Sequence, residues 1–459
     1  MTKQLAALAL ACAVAGCARS AVPPPGGALP NLVTLSLSKG EGRHGQTNSP
    51  IKHVVYIIQE NRSFNAMFYG FPGATTAKYG FNSQGKKIAL TPQSLATTWD
   101  LGHASQAYFA ACDGQGSLPG TDCKMDGWNN ETSSGFGVPS NPQYTYVKES
   151  EIVPYWAMAK QYVLADNMFA SNLDGSFIAH QYLVAGFASS AVDFPAGAWG
   201  CEGGKTDTVL TITQQRTYGS PIVTCFENPT LAAEADTAGV SWRFYADATN
   251  GSGGFWSSYQ ADKPIYGGPD WNTDVINPPS QFLTDIGKGE LAQITWITPT
   301  WPTSDHPEGQ ASEGPSWVAS VVDAVGKSKF WKSTAIFIQW DDWGGFYDPV
   351  KPVFEDYDGL GFRVPLIMIS PYAKKASVTH VQYETASVLR FIEDNFGLEQ
   401  MAASDKRAND PANDPTSFDY SQTPRRFKGI AGSKPMSHWV QLDRSWAGRG
   451  RPANALGDD

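Results

Sequence analysis

Two oxygen-bearing pairs stand where apolar runs end. Glu60-Asn61 follows His53-Val54-Val55-Tyr56-Ile57-Ile58-Gln59, and Asp341-Asp342 follows Thr334-Ala335-Ile336-Phe337-Ile338-Gln339-Trp340. Carboxylate and amide oxygens are the ligands that hard divalent cations take, and Asp can also bind zinc. Like charges side by side are unfavourable unless a cation compensates them. That is the physical reason to set one metal ion between the two pairs. On its own, Asp341-Asp342 could equally cap the Trp343-Gly344-Gly345 turn, because Asp commonly initiates turns. A metal held there would also suit a serine nucleophile, whose hydroxyl is weak at neutral pH until coordination favours the alkoxide.

The elements that must position these groups are legible in part. Both runs are continuous, apolar and rich in β-branched residues, as expected of strands buried on two faces of a parallel sheet. Similar runs recur at Ile294–Ile297 and Val364–Ile369, and helical stretches at Trp317–Val325 and Thr385–Phe396. Such alternation predicts an α/β fold, a mostly parallel central sheet with helices on both faces. In open sheets of this kind ligands bind beyond the carboxyl ends of the strands, where the two pairs stand. Polar, Gly-rich material over 70–150 and 190–290 reads as long loop insertions able to build a cleft. The tail over 402–459, polar and Pro-containing, is expected to wrap the surface or fray.

The amino terminus speaks to location. Lys3 precedes an apolar stretch, Leu5 to Val14, that is too short to span a bilayer and suits a signal-peptide core. Val14-Ala15-Gly16-Cys17 then resembles a bacterial lipobox. Cys17 either becomes the lipid-modified first residue or leaves with the peptide. Residues 18–50, rich in Pro, Gly, Ser and Thr, read as a tether. Setting Cys12 and Cys17 aside leaves Cys112, Cys123, Cys201 and Cys225, an even set that in an exported protein reads as two disulfides. Nearest neighbours would pair Cys112–Cys123 and Cys201–Cys225, one of three pairings open to four cysteines. No CxxC pair supports a metal cluster instead. A net charge of -10 without a basic stripe argues against nucleic acid and against docking to anionic lipid, leaving an amino-terminal lipid anchor as the membrane contact.

Four blocks in register resemble the bacterial phosphoesterase family, which contains phosphatidylcholine-type phospholipases C and a respiratory-burst-inhibiting acid phosphatase. Ile51 to Gly73, centred on Glu60-Asn61-Arg62-Ser63-Phe64, resembles the family's opening motif. Asp166-Asn167-Met168-Phe169-Ala170-Ser171, leading to Gly175-Ser176, resembles its nucleophile segment. Asp305-His306-Pro307 comes before Asp341-Asp342-Trp343-Gly344-Gly345-Phe346-Tyr347-Asp348. The last block runs from Ile369-Ser370-Pro371-Tyr372 through His380 to Glu393, so the resemblance spans 51–398.

That resemblance implies an alkaline-phosphatase-like fold and assigns roles by position. Ser176 is the nucleophile, passing through a phosphoseryl intermediate, and Glu60, Asn61, Asp341 and Asp342 are the metal ligands. His306 helps bind the phosphoryl group and His103 protonates the leaving alkoxide. The chain departs from the family at Ile178-Ala179-His180, where Pro-Asn-Arg is usual, and His180 is then expected to contact substrate phosphate. A second departure is Asp348-Pro349 in place of Asp-His, which should shift substrate or metal preference. All-oxygen ligation favours one calcium or magnesium ion, while nearby histidines keep zinc open. The implied activity is that of an exported phospholipase C-like phosphoric ester hydrolase, periplasmic or anchored at the outer membrane. The alternatives are an acid phosphatase on small monoesters, or a lipid-anchored binding protein that has lost catalysis.

Overall fold

The run His53–Gln59 has no polar face to offer water, and it forms the strand at the middle of the sheet. In the computed structural model this strand, β1, belongs to an eight-stranded sheet. The others, in chain order, are β2 (Val163–Ala165), β3 (Trp242–Tyr245), β4 (Val275–Ile276) and β5 (Ile294–Ile297), then β6 (Thr334–Trp340), β7 (Leu366–Ile369) and β8 (Ser377–Thr379). They lie in the order β4-β3-β5-β1-β6-β7-β2-β8. The structure describes residues 49–447 and 449, apart from 196, so the expected signal peptide, Cys17 and residues 18–48 of the expected tether lie outside the described residues.

β1 runs parallel to β5 and to β6, whereas β7 is antiparallel to both β6 and β2. The sheet is therefore mostly parallel with one reversed strand. Four of its strands were not legible beforehand. β2, β4 and β8 are two or three residues long, too short for a periodic signal. β3 carries Arg243 inside its run and sits within the 190–290 stretch expected to be loop.

Opposite faces of the sheet are covered by different helices. On β6, Phe337 packs edge-on against Phe391 of helix α4 (Ala386–Phe396), with ring centroids 4.8 Å apart. Trp340, three residues on and so on the other face, packs against Tyr155 of α1 (Val153–Gln161) at 4.8 Å. Helix α3 (Gly314–Lys327) joins α1 on that side. Trp296, which shares a face with Phe337 through the Tyr56 register, donates its indole N–H to Leu183 O of α2 (Ser176–Ala185) at 3.2 Å. Burying one such aromatic side chain contributes about 1.5–3 kcal/mol.

Each insertion is cross-linked within itself, by Cys112–Cys123 in the first and Cys201–Cys225 in the second. A second core beneath the first insertion joins Trp128, Phe362 and Trp343, so the residue following Asp342 is anchored on its outer side. The tail takes part in the main core through Phe418, Ile430 and Trp439. Trp439, on α5 (Met436–Trp446), meets Trp317 at 5.2 Å. Among the described residues no helix is long and apolar enough to cross a membrane.

Candidate active site

Register brings the two pairs together. Gln59 is opposite Trp340 at the carboxyl ends of β1 and β6, so Glu60 and Asp341 leave the sheet side by side. Asp341 N–H extends the ladder to Gln59 O at 3.0 Å, and Asn61 N–H donates to Asp341 Oδ1 at 3.0 Å. Asn61 adopts a left-handed backbone (φ 48°), a conformation Asn tolerates better than most residues. Across from it Gly344 also has positive φ, and a Cβ there would lie 2.1 Å from Asn61 O. Its N–H fixes Asp342 Oδ1 at 2.7 Å. Thus the Gly-Gly turn exists to let two backbones approach.

Ser176 enters from above as the first residue of α2, behind Gly175, and no side chain caps that helix. Its Oγ is 3.2 Å from Asn61 Oδ1, 3.3 Å from Asp342 Oδ2 and 3.4 Å from Glu60 Oε2. One helical turn later His180 sits on the same face, its Nε2 3.1 Å from Glu60 Oε1 and 3.8 Å from Asp341 Oδ2. Glu60, His180 and Asp341 each aim a ligand-type atom at one buried spot, all three atoms within 4.8 Å of one another. Asp341 Oδ2 is buried there without a hydrogen-bond partner.

Electrostatics sharpen the case. Burial, and then the neighbouring Asp341 and Asp342, hold the Glu60 carboxyl well above its ordinary range. Burial pulls the His180 imidazole down to about 4, so it brings no positive charge at neutral pH. The donor set of carboxylates, one amide oxygen and one imidazole thus fits a divalent cation, which would supply the missing charge.

His103 donates Nδ1–H to Leu101 O at 2.8 Å, which leaves Nε2 to accept from Asn61 Nδ2 at 2.8 Å. That contact turns Asn61 Oδ1 toward Ser176. His306 bonds Pro307 O through Nδ1 at 2.6 Å and is walled by Trp301 and Trp256, at 4.6 and 5.8 Å between centroids. Burial lowers its pKa to about 3. The two rings are 6.4 Å apart. A cavity of about 470 Å³ abuts the His103 segment, lined by Gly102, Ala104, Gln106, Thr132, Asp193 and Phe194.

The sequence profile of the Phosphoesterase family matches residues 51–399. The chain belongs to the Phosphoesterase family. It is therefore a phosphoric ester hydrolase by class. Phospholipase C B of Mycobacterium tuberculosis is 24% identical over 437 residues, covering 83% of this chain and 80% of that protein. Hemolytic phospholipase C of Pseudomonas aeruginosa is 23% identical over 435 residues, covering 81% of this chain and 56% of its own. A solved protein of the alkaline phosphatase superfamily from Vibrio parahaemolyticus aligns with 76% of this chain and 67% of its own, at 10% identity and a TM-score of 0.35.

In this phosphoesterase the positions singled out from sequence fall together. Glu60, Asn61, Ser176, Asp341 and Asp342 share one buried cluster, with His103 and His306 beside it. His180, expected against substrate phosphate, points at Glu60 and Asp341. Its spacing of four from Ser176 on a helix was the available signal. Asp348, at the second departure, is held by a buried Arg363. Three contributors carried no signal in sequence: Trp256 and Trp301, which box in His306, and Asp174. Asp174 accepts from Gly175 N–H at 2.9 Å and from Asp193 N–H, shaping the loop before the nucleophile.

Proposed function

We propose that this protein is an exported, metal-dependent phosphoesterase of the phospholipase C kind, with Ser176 as nucleophile. The single observation that carries the reading is Ser176 Oγ, held within 3.4 Å of Glu60, Asn61 and Asp342 at the start of an uncapped helix. A hydroxyl set among three acceptors gives up its proton readily only when charge is compensated there. A divalent cation held by Glu60, Asn61, Asp341 and Asp342, with His180 as a further donor, would supply that compensation and Lewis acidity toward a phosphoryl oxygen.

The chain's own residues account for the rest. The amino-terminal end of α2 offers backbone N–H groups and a favourable dipole to the phosphate oxygens. Ser176 gives its hydroxyl proton to a carboxylate that already accepts from it, such as Asp342, and its Oγ attacks phosphorus. The ester oxygen leaves and takes a proton from solvent, and a phosphoseryl group remains for water to hydrolyse. His306 keeps its proton on Nδ1 at Pro307 O, which leaves Nε2 as the lone-pair nitrogen that takes a proton from the incoming water. His103, whose Nε2 is engaged by Asn61, orients that ligand. We therefore assign proton transfer to His306 in preference to His103.

The phospholipase C relatives motivate a phosphodiester with an apolar portion as substrate. The cavity beside His103, with Phe194 and Ala104 in its wall, suits the part of the ester beyond phosphorus. Export is supported by the Leu5–Val14 stretch, the Val14-Ala15-Gly16-Cys17 motif and the two disulfides. Cys17→Ser would release the protein from the membrane fraction if that cysteine is lipidated.

The test is hydrolysis of p-nitrophenylphosphorylcholine beside p-nitrophenyl phosphate, with and without chelator, by wild type and Ser176→Ala. Chelator-sensitive, Ser176-dependent cleavage of the diester is expected. Cleavage of the monoester alone would replace the phospholipase C reading with a phosphatase. No cleavage of either under any added divalent metal would favour a binding protein.

A further inference from the structure

Asp305, beside His306, is fully buried and only half satisfied. Its Oδ2 accepts from the Tyr155 hydroxyl at 2.8 Å and from the Trp340 indole N–H at 3.1 Å. Its Oδ1 has no hydrogen-bond partner, and neither has the side-chain carbonyl Oε1 of Gln59. These two acceptors converge on one place. A Cβ on Gly314 would lie 2.2 Å from Asp305 Oδ1, 2.9 Å from Gln59 Oε1 and 2.6 Å from Ser304 O. Turning the Gln59 amide over does not help. Its Nε2 already donates to Thr303 O at 3.2 Å, and the exchange would set Oε1 against that carbonyl. Two buried side-chain acceptors crowded together, neither hydrogen-bonded to a protein donor, is an unfavourable arrangement in an interior of low dielectric. Of these groups the carboxyl is the one that a bound proton converts into a donor.

We propose that Asp305 is a positioning residue held as a neutral carboxylic acid, its Oδ1–H donated to Gln59 Oε1. Asp305 then ties together the ends of β1 and β6 and the loop that carries His306. Trp340 closes β6 just before Asp341-Asp342, and Gln59 closes β1 just before Glu60-Asn61. The Asp305 carbonyl accepts from Arg62 Nε at 2.9 Å, just after Asn61, and His306 follows Asp305 in the chain. The groups facing it are Arg62, Tyr155 and Trp340, with Asp100 and Glu151 acting in turn on Arg62. Arg62 and both donors favour the ionised form, yet burial outweighs them and lifts the carboxyl to about 7.

This inference rests on the catalytic reading above, and its test separates the two. Wild type, Asp305→Asn and Asp305→Ala are compared for kcat and KM on a soluble phosphodiester from about pH 5 to 9, and for melting over the same range. Asparagine keeps an acceptor for Tyr155 and Trp340 and offers a permanent N–H to Gln59. Asp305→Asn should therefore retain kcat within about threefold, while Asp305→Ala loses about tenfold or more with KM little changed. The unfolded chain releases this proton near the ordinary carboxylate value, so wild type loses melting temperature as pH rises toward 7. Asp305→Asn should decline less steeply, because the share due to this carboxyl is gone while other buried carboxyls such as Asp358 still titrate. Asp305→Asn as impaired as Asp305→Ala, or melting profiles of wild type and Asp305→Asn that run parallel through pH 7, would overturn the proposal. The melting comparison stands even if wild type proves inactive or Asp305→Ala fails to fold.

Discussion

Replacing Asp348 by asparagine should lower the melting temperature by several degrees, although the side chain keeps its size. Asp348 receives Arg363 Nε at 2.7 Å and Nη2 at 3.0 Å, with both side chains fully buried. It also accepts the N–H groups of Asn65 at 3.2 Å and Val350 at 3.0 Å. Asparagine removes the charge and turns an NH₂ group toward the guanidinium, leaving Arg363 buried without its counter-ion. Breaking such a pair costs about 3–5 kcal/mol. With an unfolding entropy of about 2.1 cal/mol/K per residue over roughly 400 residues, each kcal/mol shifts the midpoint by about 1.2 °C. The expected drop is then about 4–6 °C, read by calorimetry at several scan rates because a chain of this size can unfold irreversibly. Adding Arg363→Met should recover part of the loss, since the stranded charge goes with it. A drop under about 1 °C, or a double variant whose loss is the sum of the two singles, would refute the reasoning.

Gly344→Ala should reduce hydrolysis and metal affinity by about a hundredfold or more, because its Cβ would press 2.1 Å from Asn61 O and displace a ligand. Isothermal titration with a divalent metal beside steady-state rates checks it, and near-normal values for both would contradict the role given to the turn. Asp358 is a second pH probe, hydrogen-bonded to α2. Burial lifts its carboxyl to about 7, and it accepts the Tyr182 hydroxyl of α2 at 2.5 Å. A raised folded pKa means stability is greatest below the unfolded value and is lost as pH rises through about 7, by up to about 4 kcal/mol. Asp358→Asn should flatten that decline in denaturant midpoints, and an unchanged slope would show the carboxyl to be ionised throughout.

How much of this could be read from the chain depended on length and locality. β1, β5 and β6 declare themselves because unbroken apolar runs have no other use than a sheet buried on both sides. β2 and β8 are three-residue strands, β8 at the edge of the sheet and β2 next to it, whose pairing is decided by distant partners. The antiparallel sense of β7 likewise depends on its neighbours rather than on its own residues. Within the site, oxygen ligands at strand ends were legible because parallel pairing makes carboxyl ends converge. The indole walls around His306 were not. Trp256 and Trp301 reach it from separate loops, and no local pattern in a sequence encodes that meeting. His180 lies between these cases. Its helical phase with Ser176 was present in the spacing, but the element it faces is set by the sheet.

The most direct test of the account is acid-quenched mass spectrometry of the enzyme during turnover of a phosphodiester with divalent metal present. The account predicts one phosphoryl group on the peptide carrying Ser176, absent from Ser176→Ala and absent when chelator is added first. Sustained turnover with that peptide unmodified, or turnover by Ser176→Ala at the wild-type rate, would contradict it.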